Sequence, residues 1–263
     1  MKKILFFGLI ALLFSACKKE KTTFDYTTIK IKQAIRYSNG NTDTTNYIYT
    51  GENVETRMIY SYNPSTVYRR VFTKSGNQFL AEFYTNSSNT HSGFYRINAD
   101  GLFDTARFTN LNTLLFNNRD RYYNDSEKRN IRFISNYNTY INDYLKYYNA
   151  EDDYTYWIAT VNRLDFPLLS TKDSIVFEYY LDKPQNVLFS FALEKYFGKP
   201  TKHLVKKRLY YDMLNSMTLR RTFEYEYELD SDGLVTQQIW KAYNQPGNVL
   251  TSSDTTKYFY YKD

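Results

Sequence analysis

The chain of 263 residues is poor in the residue types that most active sites need, with one cysteine and two histidines. A single cysteine cannot form a disulfide within the chain, so stability has to come from burial and from sheet hydrogen bonds. One cysteine and the isolated His91 and His203 are too few to predict a zinc site. The sequence also has no Gly-x-Ser-x-Gly nucleophile motif and no glycine-rich phosphate loop. We therefore expect a non-enzymatic protein without cofactor or metal.

Long apolar runs are missing except at the N-terminus, where Lys2 and Lys3 precede the apolar stretch 4–13. This stretch of about ten residues is too short to span a bilayer, which takes about 20 residues, and it is typical of a secretory signal. Residues 13–17, Leu-Phe-Ser-Ala-Cys, resemble the lipobox of bacterial lipoproteins, although Phe14 replaces the usual aliphatic residue. The resemblance implies that residues 1–16 are removed and that Cys17 carries a diacylglycerol on its thiol and an acyl chain such as palmitate on its amine. The alternative is an ordinary cleaved signal with a chance cysteine at its end.

Charge and the short polar stretch after Cys17 bear on location and partners. Two or more acyl chains give stable anchoring, so Cys17 predicts the membrane as a partner, residues 17–23 as a lipidated tether and the outer membrane of the cell envelope as the location. Residues 18–21, Lys-Lys-Glu-Lys, have one acid where the surface-export signal of Bacteroidota lipoproteins usually has two or more, which leaves the periplasmic and surface sides open. The formal charge of +6, with small basic clusters such as 206–208, predicts a solvated surface, with anionic headgroups or acidic polysaccharide as alternatives. Export argues against nucleic acid as a partner.

The chain is rich in aromatic residues, with 29 Tyr and 19 Phe, and these recur with period two between Asn, Asp and Gly turns. The clearest alternation is Phe223–Glu228, in which aromatic and acidic residues take turns. Such short strands with regular turn signals predict an all-β fold: a long antiparallel β-meander, strongly curved or closed into a partial barrel, with at most one or two short helices. Residues 24–263 form one domain in this prediction.

Residues 129–147 fit both a strand and a helix pattern, and the two histidines have no partners indicated by the sequence. We predict a strand at 129–137 and a short helix at 139–147, where tyrosine, isoleucine and leucine also fit a helical stripe. His91 is predicted to lie in a solvated loop and His203 at the surface. Residues 230–233, Asp-Ser-Asp-Gly, are predicted to form a hairpin turn rather than the start of a calcium loop.

The last third of the chain resembles a family of Bacteroidota lipoproteins of unknown function that has a porin-like fold. The resemblance covers about 70 residues, and it implies a long, strongly twisted meander but no assigned activity. The residues that carry it are 196–206 (YFGKPTKHLVK), 223–227 (FEYEY) and 230–236 (DSDGLVT).

The leading functional hypothesis is a lipid-anchored binding or structural module that presents a tyrosine-rich sheet face to a glycan or another envelope component. The alternative is a periplasmic carrier that shelters an acyl chain or another apolar ligand in a half-barrel. A carrier needs a continuous apolar cavity, whereas a glycan binder needs exposed aromatic rings with polar rims. A hydrolase using paired acids is a weaker alternative, and so is an integral outer-membrane barrel, against which the acid-faced strand 223–228 argues.

A short motif, Asp-Ser/Thr followed by a small or aliphatic residue or Thr, resembles the O-glycosylation site of exported Bacteroidota proteins. Roughly one occurrence is expected by chance and four are present. The resemblance makes these hydroxyls candidate glycan carriers, and the alternative is that they are exposed loop residues. The candidates are Thr44, Thr105, Ser174 and Thr255.

Overall fold

The computed structural model describes residues 30–111, 116–137, 139–184, 193 and 196–261. The predicted signal peptide 1–16, the lipidation site Cys17 and the tether 17–23 lie outside the described residues. Within the described residues, no helix is long and apolar enough to cross a membrane.

Sixteen antiparallel strands follow one another around a closed barrel, in which β1 pairs with β16 and every other strand pairs with its neighbours in sequence. One 3-10 turn, Pro167–Leu169, lies between β11 and β12. The predicted all-β meander is confirmed, and the sheet closes completely. The strands are β1 Ile31–Ser38, β2 Asn41–Thr50, β3 Asn53–Tyr60, β4 Asn63–Ser75, β5 Gln78–Thr85, β6 Ser88–Ile97, β7 Phe103–Asn110, β8 Phe116–Asn124, β9 Asn130–Tyr137, β10 Tyr140–Tyr148, β11 Tyr154–Arg163, β12 Thr171–Pro184, β13 His203–Asp212, β14 Thr218–Leu229, β15 Val235–Asn244 and β16 Val249–Tyr260.

The hairpin turns follow from local side-chain chemistry. Asn39 and Gly40 both have positive φ (47° and 79°), which is the geometry that a two-residue hairpin turn requires and that Asn-Gly tolerates. The Asp230 carboxylate accepts hydrogen bonds from the backbone N–H groups of Asp232 (3.0 Å) and Leu234 (2.9 Å). The predicted hairpin turn at 230–233 is therefore confirmed, and the Asp230 carboxylate stabilises it by binding backbone N–H groups of the turn.

The helix predicted at 139–147 is wrong, because Tyr140–Tyr148 forms strand β10. The strand hydrogen-bonds on both sides, with Tyr144 opposite Phe133 of β9 and opposite Ala159 of β11. The Tyr144 and Phe133 rings stack with centroids 5.9 Å apart. Tyr and Asn are weak helix formers, and cross-strand aromatic pairs of this kind are available only in the sheet. The strand predicted at 129–137 is confirmed as β9.

Strand pairing separates the residues into an inner and an outer face. Residues directly opposite on neighbouring strands share a face, so the pair Tyr225–Trp240 and the pair Glu224–Lys241 lie on opposite faces. Tyr225 is buried in a hydrophobic cluster, whereas Glu224 forms an ion pair with Lys207 of the neighbouring strand (3.0 Å). At these positions the inner face is aromatic and the outer wall carries charge, while elsewhere the inner face also holds acids such as Asp254, which lies opposite Trp240.

Two hydrophobic clusters fill the inside of the barrel. The first gathers residues of β3 to β7, including Phe72, Phe79 and Phe103, which are 0–1% exposed. The second gathers residues of β11 to β15, including Leu204 and Val235, which are fully buried. Most of these residues lie toward the end of the barrel at which β1 begins and β16 ends, which we call the terminal end.

A candidate ligand cavity inside the barrel

In the connection between β12 and β13, the described residues are Leu193 and Tyr196–Lys202. We call Leu193 and Tyr196–Thr201 the cap segment, and it lies at the terminal end of the barrel. Leu193 and Tyr196 belong to the first cluster, and the Tyr196 ring packs against Phe79 with centroids 4.9 Å apart. The Tyr196 hydroxyl donates a hydrogen bond to Glu52 in the β2–β3 turn (2.7 Å). The cap segment thus reaches the side of the barrel opposite to its own strands.

Further contacts fix the cap segment to the β8–β9 and β10–β11 turns. The backbone N–H of Lys199 donates to the carbonyl of Lys128 (2.7 Å), and the Lys199 ammonium pairs with Asp152 (2.5 Å). Gly198 has a φ of +109°, and a Cβ there would lie 2.9 Å from the Lys128 carbonyl oxygen. Only glycine allows this close approach without strain. The cap segment is therefore packed directly against the β8–β9 turn.

A cavity of about 560 Å³ lies beside the cap segment and between the two hydrophobic clusters. Its volume is in the range of about 300–1,000 Å³ that small-molecule sites occupy. Seven of its sixteen lining residues are aromatic. It is lined by Tyr95, Asp120, Tyr122, Asn130, Phe133, Lys146, Tyr154, Trp157, Phe177, Val205, Arg208 and the cap residues 197–201.

The aromatic wall is a continuous packed surface. The Trp157 ring lies 4.8 Å from the Tyr154 ring and 4.9 Å from the Phe177 ring, centroid to centroid. Toward β8 and β9, Tyr122 and Phe133 stack at 5.1 Å. Flat rings packed against one another in this way give an apolar surface that can take a hydrocarbon body.

Two cations face this aromatic wall from inside the barrel. The Lys146 ammonium lies 5.1 Å from the Trp157 ring centroid and donates a hydrogen bond to the Asn130 amide oxygen (2.7 Å). Burial lowers the pKa of Lys146 from 10.5 to about 8. The Arg208 guanidinium lies 5.7 Å from the Phe177 ring centroid, and its Nε is buried without a hydrogen-bond partner. Within the described residues, no carboxylate pairs with either cation.

One acid, Asp120 of β8, also lines the cavity. Burial raises its pKa, and hydrogen bonds from the Ser135 hydroxyl, the Asn118 amide and the Tyr122 hydroxyl oppose the rise. The Ser135 bond measures 2.6 Å. Asp120 is thus satisfied within its own strand pair, five strands away from Arg208.

The prediction that His203 lies at the surface is wrong. His203 is 7% exposed, and its Nδ1 lies 2.6 Å from a carboxylate oxygen of Asp153, which is 1% exposed. The second Asp153 oxygen accepts the backbone N–H of His203 (2.9 Å). Position 203 starts β13 beside Asp153 of the β10–β11 turn, so a long-range contact engages a residue that local sequence gives no reason to bury.

Glu151 joins Asp153 and His203 in the one group of the described residues whose donor atoms could hold a metal ion, all lying within 4.8 Å of one another. The Asp153 oxygens already accept both hydrogen bonds from His203, and Glu151 lies 3.3 Å from the Lys202 ammonium. The contacts therefore explain the group as a latch that ties β13 to the β10–β11 turn. The expected lack of a metal stays a prediction.

His91 does not lie in a loop, as predicted, but in β6, opposite Phe83 and Asn110. It is half-buried, and its ring meets Phe83 edge to face at 6.3 Å. The register places His91 on the inner face, because Phe83 and Phe108 pack there.

The four candidate glycan carriers lie in strands, not loops, and the pairing register places their side chains on the outer wall. Three are half-buried, and Ser174 is 7% exposed, so its hydroxyl is poorly accessible. Their glycosylation stays a prediction. They are Thr44 in β2, Thr105 in β7, Ser174 in β12 and Thr255 in β16.

The cations of the cavity were not among the residues singled out from the sequence. In the sequence Arg208 belongs to the basic cluster 206–208, but two-residue alternation puts its side chain on the face of Tyr210 and on the opposite face from Lys207. Lys146 and Tyr144 are two residues apart, so in a strand they share a face, but the helix predicted at 139–147 does not place them together. In both strands, the two-residue alternation could have predicted that the cation faces inward with the aromatic residues.

Comparison with solved structures finds the same fold in two porin-like proteins. One, from Bacteroides uniformis, is 11% identical with a TM-score of 0.56, and the match covers 88% of this chain and 96% of that chain. The other, from Bacteroides vulgatus, is 10% identical with a TM-score of 0.55, and the match covers 88% of this chain and 98% of that chain. No protein-family model and no curated protein matches the sequence. The comparisons thus confirm the porin-like barrel, while membership of a lipoprotein family stays a prediction.

Proposed function

We propose that this chain is a non-enzymatic, lipid-anchored protein of the cell envelope that holds an apolar ligand inside its barrel. The observation that carries the proposal is the cavity of about 560 Å³ inside the barrel, which is partly open to solvent and has aromatic rings in its wall. Of the two arrangements expected from the sequence, a continuous apolar cavity is the one that a carrier needs. The closed barrel takes the place of the expected half-barrel.

The distribution of charge supports a barrel that meets water on its outside. A membrane-spanning barrel has an apolar band outside and a polar inside, whereas this barrel has two hydrophobic clusters inside and ion pairs on its outer wall. Ion pairs lie on the outer wall, where acyl chains would have to solvate them at a cost of several kcal/mol each. They are Glu55–Arg57, Arg96–Asp104, Arg132–Asp143, Lys207–Glu224 and Glu226–Lys241.

In this proposal the acyl chains on Cys17 keep the protein in the cell envelope, and the likeness to porin-like proteins supports such a location. With a water-exposed outer wall, the barrel does not have to insert itself, and the acyl chains hold it at the membrane. A ligand from the membrane would then have only a short path to the cavity.

Binding of a neutral fluorescent probe to the purified protein tests the proposal. N-phenyl-1-naphthylamine has no charge and gains fluorescence in apolar sites, so we expect saturable binding with one site per chain. Val205 lines the cavity, and Val205→Phe should weaken binding at least tenfold by filling it. Val176 is half-buried and lies on the outer wall, opposite Tyr156 and Leu209, so Val176→Phe is the matched control. Equal binding by both variants, or no binding to the wild type, would refute a ligand site in the barrel.

One observation favours a glycan-binding surface as a second candidate. Tyr147 and Tyr156 stack at 4.3 Å on the outer wall, and Tyr156 is 37% exposed. Stacked exposed rings offer a flat surface to a sugar. Retention of the protein on immobilised acidic polysaccharide, lost in Tyr156→Ala and kept in Val205→Phe, would favour this surface over the cavity.

A further inference from the structure

We propose that the cavity binds an amphipathic anion, whose carboxylate or phosphate head is held by Arg208 and whose hydrocarbon body packs on Phe177 and Trp157, while the Lys146 ammonium at the other end of this row attracts the anion at longer range. This inference rests on the proposed function and adds the charge of the ligand to it.

The four side chains form one row across β10 to β13. The Lys146 ammonium lies 5.1 Å from the Trp157 ring, the Trp157 and Phe177 rings are 4.9 Å apart, and the Arg208 guanidinium lies 5.7 Å from the Phe177 ring. All four line the same cavity. The row therefore offers two positive ends and an apolar middle on one wall.

The cations are in an environment that calls for an anion. A charge placed inside a protein without a counter-charge is costly, and buried charges are normally paired. Arg208 interacts with the Tyr210 hydroxyl and the Tyr225 ring, and Lys146 with the Asn130 amide, all of them uncharged partners. The Nε of Arg208 is buried and unsatisfied in the described part of the barrel. An anionic head would supply the missing acceptor and the missing charge together.

The shape of the groups narrows the kind of head. A planar guanidinium matches the two oxygens of a carboxylate or phosphate, and such charge-assisted bonds are among the strong ones. Asp120 would repel an anion. It lies two strands from Lys146 but five strands from Arg208, and it is engaged by Ser135 (2.6 Å). The head is therefore placed at Arg208 on β13, with the hydrocarbon body along Phe177 and Trp157.

Displacement of the neutral probe by ligands that differ only in their head tests the inference. Dodecanoate, dodecyl phosphate, dodecan-1-ol and dodecylammonium have the same chain, so differences between them report on the head. We expect the two anions to displace the probe at concentrations at least tenfold lower than the alcohol, and the ammonium to be the weakest. The order of dodecanoate and dodecyl phosphate separates a fatty-acid-like ligand from a phospholipid-like one.

Two variants assign the effect to the cations. Arg208→Gln should lower the affinity for the anions at least tenfold and leave the affinity for dodecan-1-ol unchanged, and Lys146→Met should do the same to a smaller extent. Arg132→Gln removes an arginine from the outer wall, where it pairs with Asp143, and is the control. Retained probe binding shows that the cavity of a variant is intact. The comparison of ligands with different heads uses the wild-type protein alone, so it still tests the inference if a variant fails to fold.

The outcomes separate the two proposals. Equal displacement by the anions and the alcohol, with normal probe binding, would overturn the inference and leave the proposed function standing. Absence of probe binding to the wild type would overturn the proposed function itself. A loss of anion affinity in Arg132→Gln equal to that in Arg208→Gln would also overturn the inference, because it would reflect net charge alone.

Discussion

Replacing Lys146 with methionine should make the barrel more stable at pH 7, although it removes a hydrogen bond. Burial lowers the Lys146 pKa from 10.5 to about 8, and each tenfold change in acidity corresponds to about 1.4 kcal/mol. Keeping the amine charged at pH 7 thus costs the folded state at most about 3 kcal/mol. Methionine removes this cost and leaves the Asn130 oxygen without its donor, a loss of about 1–2 kcal/mol. The net gain at pH 7 is about 1–2 kcal/mol.

The sign of the pH dependence follows from proton binding. Between about pH 8 and 10.5 the unfolded lysine holds a proton that the folded one has lost, so the stability of the wild type rises with pH. Lys146→Met has no such group, and its advantage should shrink by at most about 3 kcal/mol across this window and then reverse. Tyrosines that titrate near pH 10 are common to both proteins and cancel in the difference.

Urea unfolding of both proteins at pH 7, 8, 9 and 10, followed by circular dichroism, measures this difference. The Lys146 amine faces the Asn130 amide and the rings of Tyr154 and Trp157, and Asp120 lines the same cavity. A stability difference that stays constant from pH 7 to 10 would refute the reasoning, since it would mean that Lys146 titrates like a solvated lysine. It would also weaken the case for an anion at this position.

Three further changes test other parts of the description. Gly93→Ala should destabilise the barrel by about 3 kcal/mol in urea unfolding, because the new Cβ would overlap the Arg107 carbonyl of the paired strand. Asp153→Ala should cost about 2–4 kcal/mol, because it leaves both His203 donors unsatisfied in a buried place. Cys17→Ser should move the protein from the membrane fraction to the soluble fraction of lysed cells, because acyl chains on this thiol and amine are the proposed anchor.

Each of these changes has a neighbouring control. Ser92→Ala changes the residue next to Gly93 on the outer face, and Glu151→Ala removes an exposed partner of Lys202, so both should alter stability by less than about 1 kcal/mol. A stable Gly93→Ala protein would mean that the strands do not approach as described. For Cys17, protease treatment of intact cells distinguishes a surface location, where the barrel is cleaved, from a periplasmic one, where it is protected until lysis. Membrane retention of Cys17→Ser would contradict the proposed anchor.

Short-range chemistry made most of the fold predictable, and long-range pairing made part of the site unpredictable. Turns such as Asn39–Gly40 and Asp230–Gly233 are encoded by adjacent residues, which is why the meander could be predicted. The latch of Asp153 and His203 joins residues 50 positions apart, and nothing near His203 in the sequence indicates its burial. Closure of the barrel likewise depends on β1 meeting β16, an interaction between the two ends of the domain.

Alternation predicts two faces but leaves open which of them turns inward, and this choice decides the kind of barrel. In Phe223–Glu228 the aromatic residues would face lipid in a membrane barrel and the acids would line a water-filled channel. Here Glu226 pairs with Lys241 on the outside, while Tyr227 is buried and donates a hydrogen bond to the Val205 carbonyl (2.9 Å). The same pattern therefore puts these aromatic residues inside the barrel and these acids outside. Inside, no carboxylate of the described residues pairs with Lys146 or Arg208, and the ligand that we propose would complement these charges.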